Sequence, residues 1–197
     1  MTFAGTASAE SAAETFFQAE QAKLQTLLRQ PASPARDAEV TKVMDRLVDY
    51  DELTRRAFGQ PCPGTLKTCT DHWSELNDAQ KTQVKDLLKK LIEKNYRKNL
   101  VKTLDFDITY KGAQEVGTDS KIRTEAKNKV NTREPSVRIE YLMGQKGAST
   151  YVVKEITTEG SSLTKNYYDQ FHKMLTTADQ GFPHIVKKLT EKLAKKD

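Results

Sequence analysis

Apolar positions change their spacing twice along this chain. Across residues 11–29, Phe16, Phe17, Leu24, Leu27 and Leu28 fall on one side of a helix, which Pro31 and Pro34 should end. Residues 36–48 place Val40, Val43, Met44, Leu47 and Val48 in a clean stripe, a second helix. Asp49 and Glu52 stand at capping-box spacing for a short helix over 52–58, which Gly59 should terminate. The same spacing recurs at Asn77 and Gln80. Behind it Val84, Leu87, Leu88, Leu91, Ile92, Asn95 and Tyr96 keep a period of 3.6, predicting the longest helix of the chain.

After Leu100 the period falls to two. Phe106, Ile108 and Tyr110 alternate with Asp105, Asp107 and Thr109, and Gly112 and Gly117 interrupt. Ile122 lies in a second, polar strand. Val137, Ile139 and Tyr141 alternate with Ser136, Arg138 and Glu140, and residues 144–147 should turn the chain into Tyr151, Val153 and Ile156. The helical period then returns in Leu163, Tyr167, Phe171 and Met174, giving a closing helix pair near 163–177 and 183–195. Helices, then a sheet, then helices describe an α+β domain, with N-terminal helices, an antiparallel curved sheet of about four to five strands, and C-terminal helices over one sheet face. Where the last strand meets its helix, two apolar surfaces join at a short turn. That corner either closes a core or encloses an apolar cavity.

At 197 residues the chain can support one substantial core, and residues 10–197 read as a single domain. Charged residues make up 30% and the mean hydropathy is −0.71, with no apolar run near the length of a membrane span. The net charge of +5 suits anionic surfaces, yet the basic residues are interleaved with 27 acids, as on solvated helical faces. Lys187, Lys188, Lys192, Lys195 and Lys196 cluster where they complement a helix dipole. No nucleic-acid-binding motif is present.

At the N-terminus, Phe3-Ala4-Gly5-Thr6 with Ala7-Ser8-Ala9 is similar to the end of a secretory signal, although the charged and long apolar parts are missing. Residues 1–9 are thus either a signal remnant or an Ala/Ser-rich disordered tail. Cys62 and Cys69 flank a Pro63-Gly64 turn and would form a disulfide in an oxidising compartment, worth roughly 2–3 kcal/mol. Two reduced structural cysteines are the alternative. A metal site would need His72 as well and still lacks a fourth ligand.

Catalytic patterns are missing: there is no G-x-S-x-G, P-loop, G-x-G-x-x-G, H-E-x-x-H or C-x-x-C. His72, His172 and His184 fall in separate regions, and His172 should face solvent. Asp105, Asp107 and Glu155 are acids on strands. Asp107 or Glu155 could act as base in a sheet-lined isomerase pocket, against the simpler reading of solvent-facing strand acids.

In order, the motifs of the chain resemble the MlaC family, the toluene-tolerance type periplasmic phospholipid shuttle proteins. The resemblance runs from about Val40 to Leu193 and is densest in the last third. It is carried by Phe58-Gly59, by Trp73 with Leu76 and Gln80, and by Tyr96. Val137-Arg138-Ile139-Glu140-Tyr141 and Tyr151-x-Val153-x-Glu155-Ile156 follow, then Glu159-Gly160-x-Ser162-Leu163 and Asn166-Tyr167-x-x-Gln170-Phe171. Tyr151 stands where the family has Trp, Glu155 where it has Asp, and Tyr168 where it has Arg. The last departure leaves the headgroup chemistry open.

The resemblance implies a periplasmic, monomeric, non-enzymatic carrier. It would hold phospholipid tails between a curved sheet and covering helices, with no cofactor and the lipid as cargo. Its implied partners are an inner-membrane ABC transporter complex, with its membrane-anchored substrate-binding subunit, and an outer-membrane lipoprotein complex that maintains lipid asymmetry. Two tails of about 30 methylenes gain over 20 kcal/mol on leaving water, and nearly as much in a bilayer, so loading and release need no chemistry. Such tails call for a space near the upper end of the roughly 300–1,000 Å³ of ligand pockets. Phe106, Ile108, Val137, Ile139, Tyr141, Tyr151 and Val153 should line the sheet side, and Leu91, Tyr96, Leu163, Tyr167 and Phe171 the helix side. Three alternatives stay open: a hopanoid-type or other apolar cargo, an isomerase-like enzyme of the cone-shaped α+β type, and an adaptor that binds only proteins.

Overall fold

Side-chain caps set where the helices begin. The computed structural model describes residues 11–64 and 66–195, so the signal-like stretch 1–9 lies outside the described residues. Ser11 Oγ accepts from Glu14 N at 3.1 Å to open α1 (Ala12–Leu28). Ser33 Oγ accepts from Arg36 N at 3.1 Å to open α2 (Pro34–Leu47). Pro34 therefore starts a helix rather than ending one, because a first-turn residue has no N–H to lose. Asp49 caps α3 (Tyr50–Ala57) through Glu52 N at 2.9 Å. Asn77 and Gln80 exchange reciprocal bonds of 3.0 and 2.9 Å ahead of the 26-residue α4 (Asp78–Thr103).

Five strands follow, β1 (Phe106–Val116), β2 (Asp119–Asn128), β3 (Val137–Gly147), β4 (Thr150–Thr158) and β5 (Ser161–Ser162), then α5 (Leu163–Thr176) and α6 (Gly181–Ala194). The strands form one antiparallel meander in the order β1-β2-β3-β4-β5. The turn between β3 and β4 falls at Ala148 and Ser149, not at residues 144–147. Gly144 lies inside β3, where an added Cβ would stand 1.9 Å from Cε of Lys154, so that glycine serves close approach.

Three register shifts interrupt the sheet, and two of them bear on the site. Between Tyr110 and Ala113, β1 gains a residue against β2, at Gly112 with φ +90°. Between Leu142 and Met143, β4 carries Lys154 as the extra residue. Each bulge raises the local twist and re-aims the side chains beyond it. Consequently Ile156 and Thr158 share the inner face with Tyr141 and Ile139, whereas beyond the bulge it is Val153 that pairs with the buried Met143.

The helices cover the inner face. Phe17, Leu24, Met44, Leu47, Leu53, Phe58, Leu88, Ile122, Met143 and Ile185 are fully buried and make one continuous core. Across the helical layer, Glu20 of α1 is bonded to Arg46 of α2, and Phe58 stacks on Phe171 with ring centroids 4.8 Å apart.

A disulfide joins Cys62 and Cys69, whose Cα atoms are 5.7 Å apart. Its loop is anchored to α5. Gly59 has φ +89°, and a Cβ there would lie 2.2 Å from Thr70 O.

Candidate functional site

Above the core, the sheet and helices diverge and leave a cavity of about 320 Å³. That is the lower end of the pocket range, not the upper end anticipated for two tails. The sheet contributes Ile108 and Tyr110 of β1, Thr124 of β2, Ile139 and Tyr141 of β3, and Ile156 of β4. From α1 come Phe17, Gln21 and Gln25, each four residues apart and so on one face. Likewise α4 presents Ile92, Asn95, Tyr96 and Asn99. Leu163, Asn166 and Tyr167 at the start of α5 close the third side.

None of the lining side chains is charged. Deep in the cavity, aromatic rings pack edge and face: Phe17 lies 4.4 Å from Tyr141 and 6.4 Å from Tyr110 between centroids. Tyr96 Oη accepts from Gln21 Nε2 at 3.0 Å. Burial pushes the Tyr96 phenol up to about 12, with the Gln21 bond pulling the other way. Burial likewise raises Tyr141, helped by the neighbouring phenols Tyr96 and Tyr110, and raises Tyr167. The walls are therefore neutral across the physiological range. Toward solvent the lining turns polar yet stays neutral, with Asn95, Asn99, Thr158, Ser161 and Asn166 exposed at the rim. Just outside, Lys192 Nζ donates to Gln170 Oε1 at 2.9 Å and lies 6.0 Å from the Tyr167 ring centroid.

Of the residues the sequence nominated, Tyr96, Ile108, Ile139, Tyr141, Leu163 and Tyr167 come together on this cavity. The other six lie off it, each for an identifiable reason. Leu91 is one position round α4 from Ile92 and is buried in the helical core at 3% exposure. Phe171 packs on Phe58, below the cavity floor. Val153 is bridged in parallel to Val48, and its carbonyl accepts from Asp49 N at 3.0 Å. Tyr151, past the same bulge, packs on Phe16 at 5.9 Å. Phe106 and Val137 share the inner face with Ile108 and Ile139 but sit one step further out, half-buried.

The sequence placed Asn95 on the stripe of α4 without assigning it to the lining, and passed over the amides Gln21, Gln25 and Asn99. Their cue was present: each recurs at helical spacing with an apolar residue of the same face, Phe17 on α1 and Ile92 on α4.

The strand acids are elsewhere. Asp105 lies exposed in the turn before β1 and not on a strand, and Asp107 is exposed on the outer face of β1. Glu155 is buried, and its carboxylate accepts from Ile156 N (3.0 Å), Ser162 Oγ (2.9 Å), Thr164 N (3.1 Å) and Thr164 Oγ1. It thereby fixes the start of α5 and carries four donors, which suits a structural anchor. His172 does not face open solvent as anticipated. Its Nδ1 lies 2.8 Å from Nε2 of the buried His72, whose Nδ1 meets Glu75 at 3.3 Å. Tyr168, at the departure from the family's Arg, stacks on His172 and accepts from Thr70 N at 2.9 Å. Among the described residues no group of three or more His, Cys, Asp or Glu could hold a metal ion, and no helix is long and apolar enough to cross a membrane.

An α+β fold with an uncharged cavity under its helices is the class these features define. The MlaC protein family matches residues 18–191, and the chain belongs to that family. Among solved structures it is similar to the phospholipid-binding protein from Ralstonia solanacearum, determined in complex with a phospholipid. The TM-score is 0.67 at 21% identity, over 95% of this chain and 98% of the other. No curated protein sequence matches.

Proposed function

We propose that this protein is a periplasmic carrier of phospholipid, holding acyl chains in the cavity between α1, α4, α5 and the sheet. It passes lipid between an inner-membrane ABC transporter complex, through its membrane-anchored substrate-binding subunit, and an outer-membrane lipoprotein complex. The supporting observation is the cavity itself, uncharged throughout, aromatic and aliphatic inside, and rimmed by neutral amides and hydroxyls. Such walls gain from hydrocarbon and have nothing with which to activate a substrate. Membership of the MlaC family and the phospholipid in the Ralstonia solanacearum relative point the same way.

On this reading Tyr96, Ile108, Ile139, Tyr141, Leu163 and Tyr167 touch the tails, joined by Phe17, Ile92, Tyr110 and Ile156. The amides at the rim meet the glycerol and phosphate oxygens, and Lys192 supplies a cation on the α6 side. Because a bilayer offers tails about the same free energy as the cavity, binding partners set the direction. Accommodating two tails requires α1 and α4 to move outward from the sheet, since about 320 Å³ is small for such cargo.

Native mass spectrometry of the purified protein, set beside the delipidated form, tests this. A mass excess that fragments as diacyl phospholipid is expected, and Ile139→Trp should abolish it while the fold is retained. A polycyclic lipid in its place would change the cargo. Protein free of lipid, or unchanged uptake by Ile139→Trp, would reject the carrier.

A further inference from the structure

Three large apolar side chains are exposed among the described residues: Val101 at 54%, Val116 at 45% and Val130 at 80%. Isolated exposed valines are ordinary. These three, however, are sorted by position and by charge.

Val101 lies in the last turn of α4, and Val130 lies in the β2–β3 loop. The two segments meet, because Lys129 N donates to Asp105 O at 2.8 Å while Leu104 N donates to Val101 O at 3.3 Å. Register agrees: Asn128, two residues before Val130, pairs with Phe106 at the start of β1. Both valines thus occupy one end of the molecule, the end at which rim residues Asn99, near the close of α4, and Thr158, paired with Ile139 near the start of β3, open the cavity, while Val101 turns to the face of α4 opposite Asn99. Val116 is at the opposite end of β1, roughly 30 Å away along the strand.

Charge follows the same division. Lys94, Arg97 and Lys98 precede Val101 without an intervening acid, and Lys127, Lys129 and Arg133 surround Val130 beside the acids Asp105, Asp107 and Glu134, with Lys129 Nζ 3.9 Å from Asp107. Beside Val101 an open groove of about 700 Å³ runs between α1, α2 and α4, carrying Arg36, Lys90, Lys94, Arg97 and Lys98 against only Asp37 and Glu93. Val116 instead stands between Glu115 and Asp119. The Val130 loop is also built to hold its shape. Asn128 Oδ1 accepts from Val130 N and Asn131 N, and the Glu134 carboxylate is taken by Asn128 and Asn131.

Apolar tips within a cationic field are the chemistry that settles on an anionic bilayer, where headgroups meet the lysines and valines enter the interface. We propose that the Val101–Val130 end docks directly on anionic phospholipid surfaces and presents the cavity mouth to them. This inference rests on the carrier reading and adds the surface from which the cargo enters.

Flotation with vesicles tests it, using an equimolar mixture of phosphatidylcholine and phosphatidylglycerol against phosphatidylcholine alone. The wild-type protein should float with the anionic vesicles at low salt, be released at high salt, and ignore the neutral ones. Lys129→Gln should weaken binding about fivefold. Val130→Asp should weaken it further with an unchanged melting temperature, and Val116→Asp should bind like the wild type. Absence of vesicle binding at low salt, including binding to acidic proteins only, would overturn the inference. So would equal effects of Val130→Asp and Val116→Asp. The copurifying lipid separates this result from the broader reading. Lipid-loaded protein that ignores vesicles sinks the docking surface alone, whereas vesicle binding by a protein that never carries lipid sinks the carrier alone.

Discussion

Glu20 of α1 accepts from both Nε and Nη2 of Arg46 in α2, at 3.2 and 2.5 Å, and from Lys23 Nζ at 2.7 Å, while its own side chain is only 4% exposed. Burial alone would push this carboxyl up. The bonds from Lys23 and Arg46, with their positive fields, outweigh it and hold Glu20 below its usual 4.5. A depressed carboxyl contributes stability above its unfolded value and loses it as pH falls through the folded one. Glu20→Gln should therefore be less stable than wild type at neutral pH, and the gap should narrow below 4.5. Arg46→Ala, which removes a half-exposed partner, should cost about 1 kcal/mol at pH 7. Urea unfolding followed across the acid range measures both.

His72 and His172 lie 100 residues apart in sequence, yet their ring nitrogens are 2.8 Å apart. His72 is buried, with Glu75 on its other nitrogen. Replacing His172 with Leu would leave His72 Nε2 without that partner, a loss of about 1–2 kcal/mol. His172→Gln can restore a bond from the same helix position and should recover part of the loss. Chemical denaturation of the two variants, compared at one pH, is the measurement.

Much of this architecture could be read from spacing alone, because the signals are local. Reciprocal capping at Asn77 and Gln80, the stripe from Val40 to Leu47, and the alternation in β1 and β3 each depend on neighbours within a few residues. What escaped depends on the third dimension. A bulge at Lys154 changes which of Tyr151, Val153 and Ile156 share a neighbourhood, and nothing in the alternation announces it. Leu91 and Ile92 are both apolar, but only one faces the cavity, since α4 is packed on two sides. Amides such as Gln21 and Asn99 look like solvent-facing residues until a second wall is placed opposite them.

Gly59 turns the chain after α3 and brings it under Tyr168. Its φ of +89° is strained for any L side chain, and an added Cβ would meet Thr70 O at 2.2 Å and the Tyr168 ring at 3.1 Å. The first contact is with backbone held by the disulfide loop, so it cannot be relieved by a side-chain rotation. Gly59→Ala should destabilise the protein by about 2–4 kcal/mol. Calorimetry should show the melting temperature lowered, and reduction of the Cys62–Cys69 bond should lessen the penalty by letting Thr70 move.

Tyr96 ties the cavity wall of α4 to α1 through Gln21, and burial holds its proton well above the ordinary phenol range. Burial raises its phenol from 10.0 to about 12, with the Gln21 bond acting in the opposite sense. A group raised in this way contributes its full stability below its unfolded value and loses it as pH rises through the folded one. Stability should accordingly fall between pH 10 and about 12. Tyr96→Phe removes this titration and should lessen the slope of the alkaline limb, to which Tyr141 and Tyr167 still contribute, at a cost near neutrality of about 1 kcal/mol for the Gln21 bond. The same substitution keeps the ring and the uncharged wall, so the amount of lipid carried should not change. A variant stable at high pH yet empty of lipid would show that the phenol oxygen holds the cargo, against a role confined to joining the two helices.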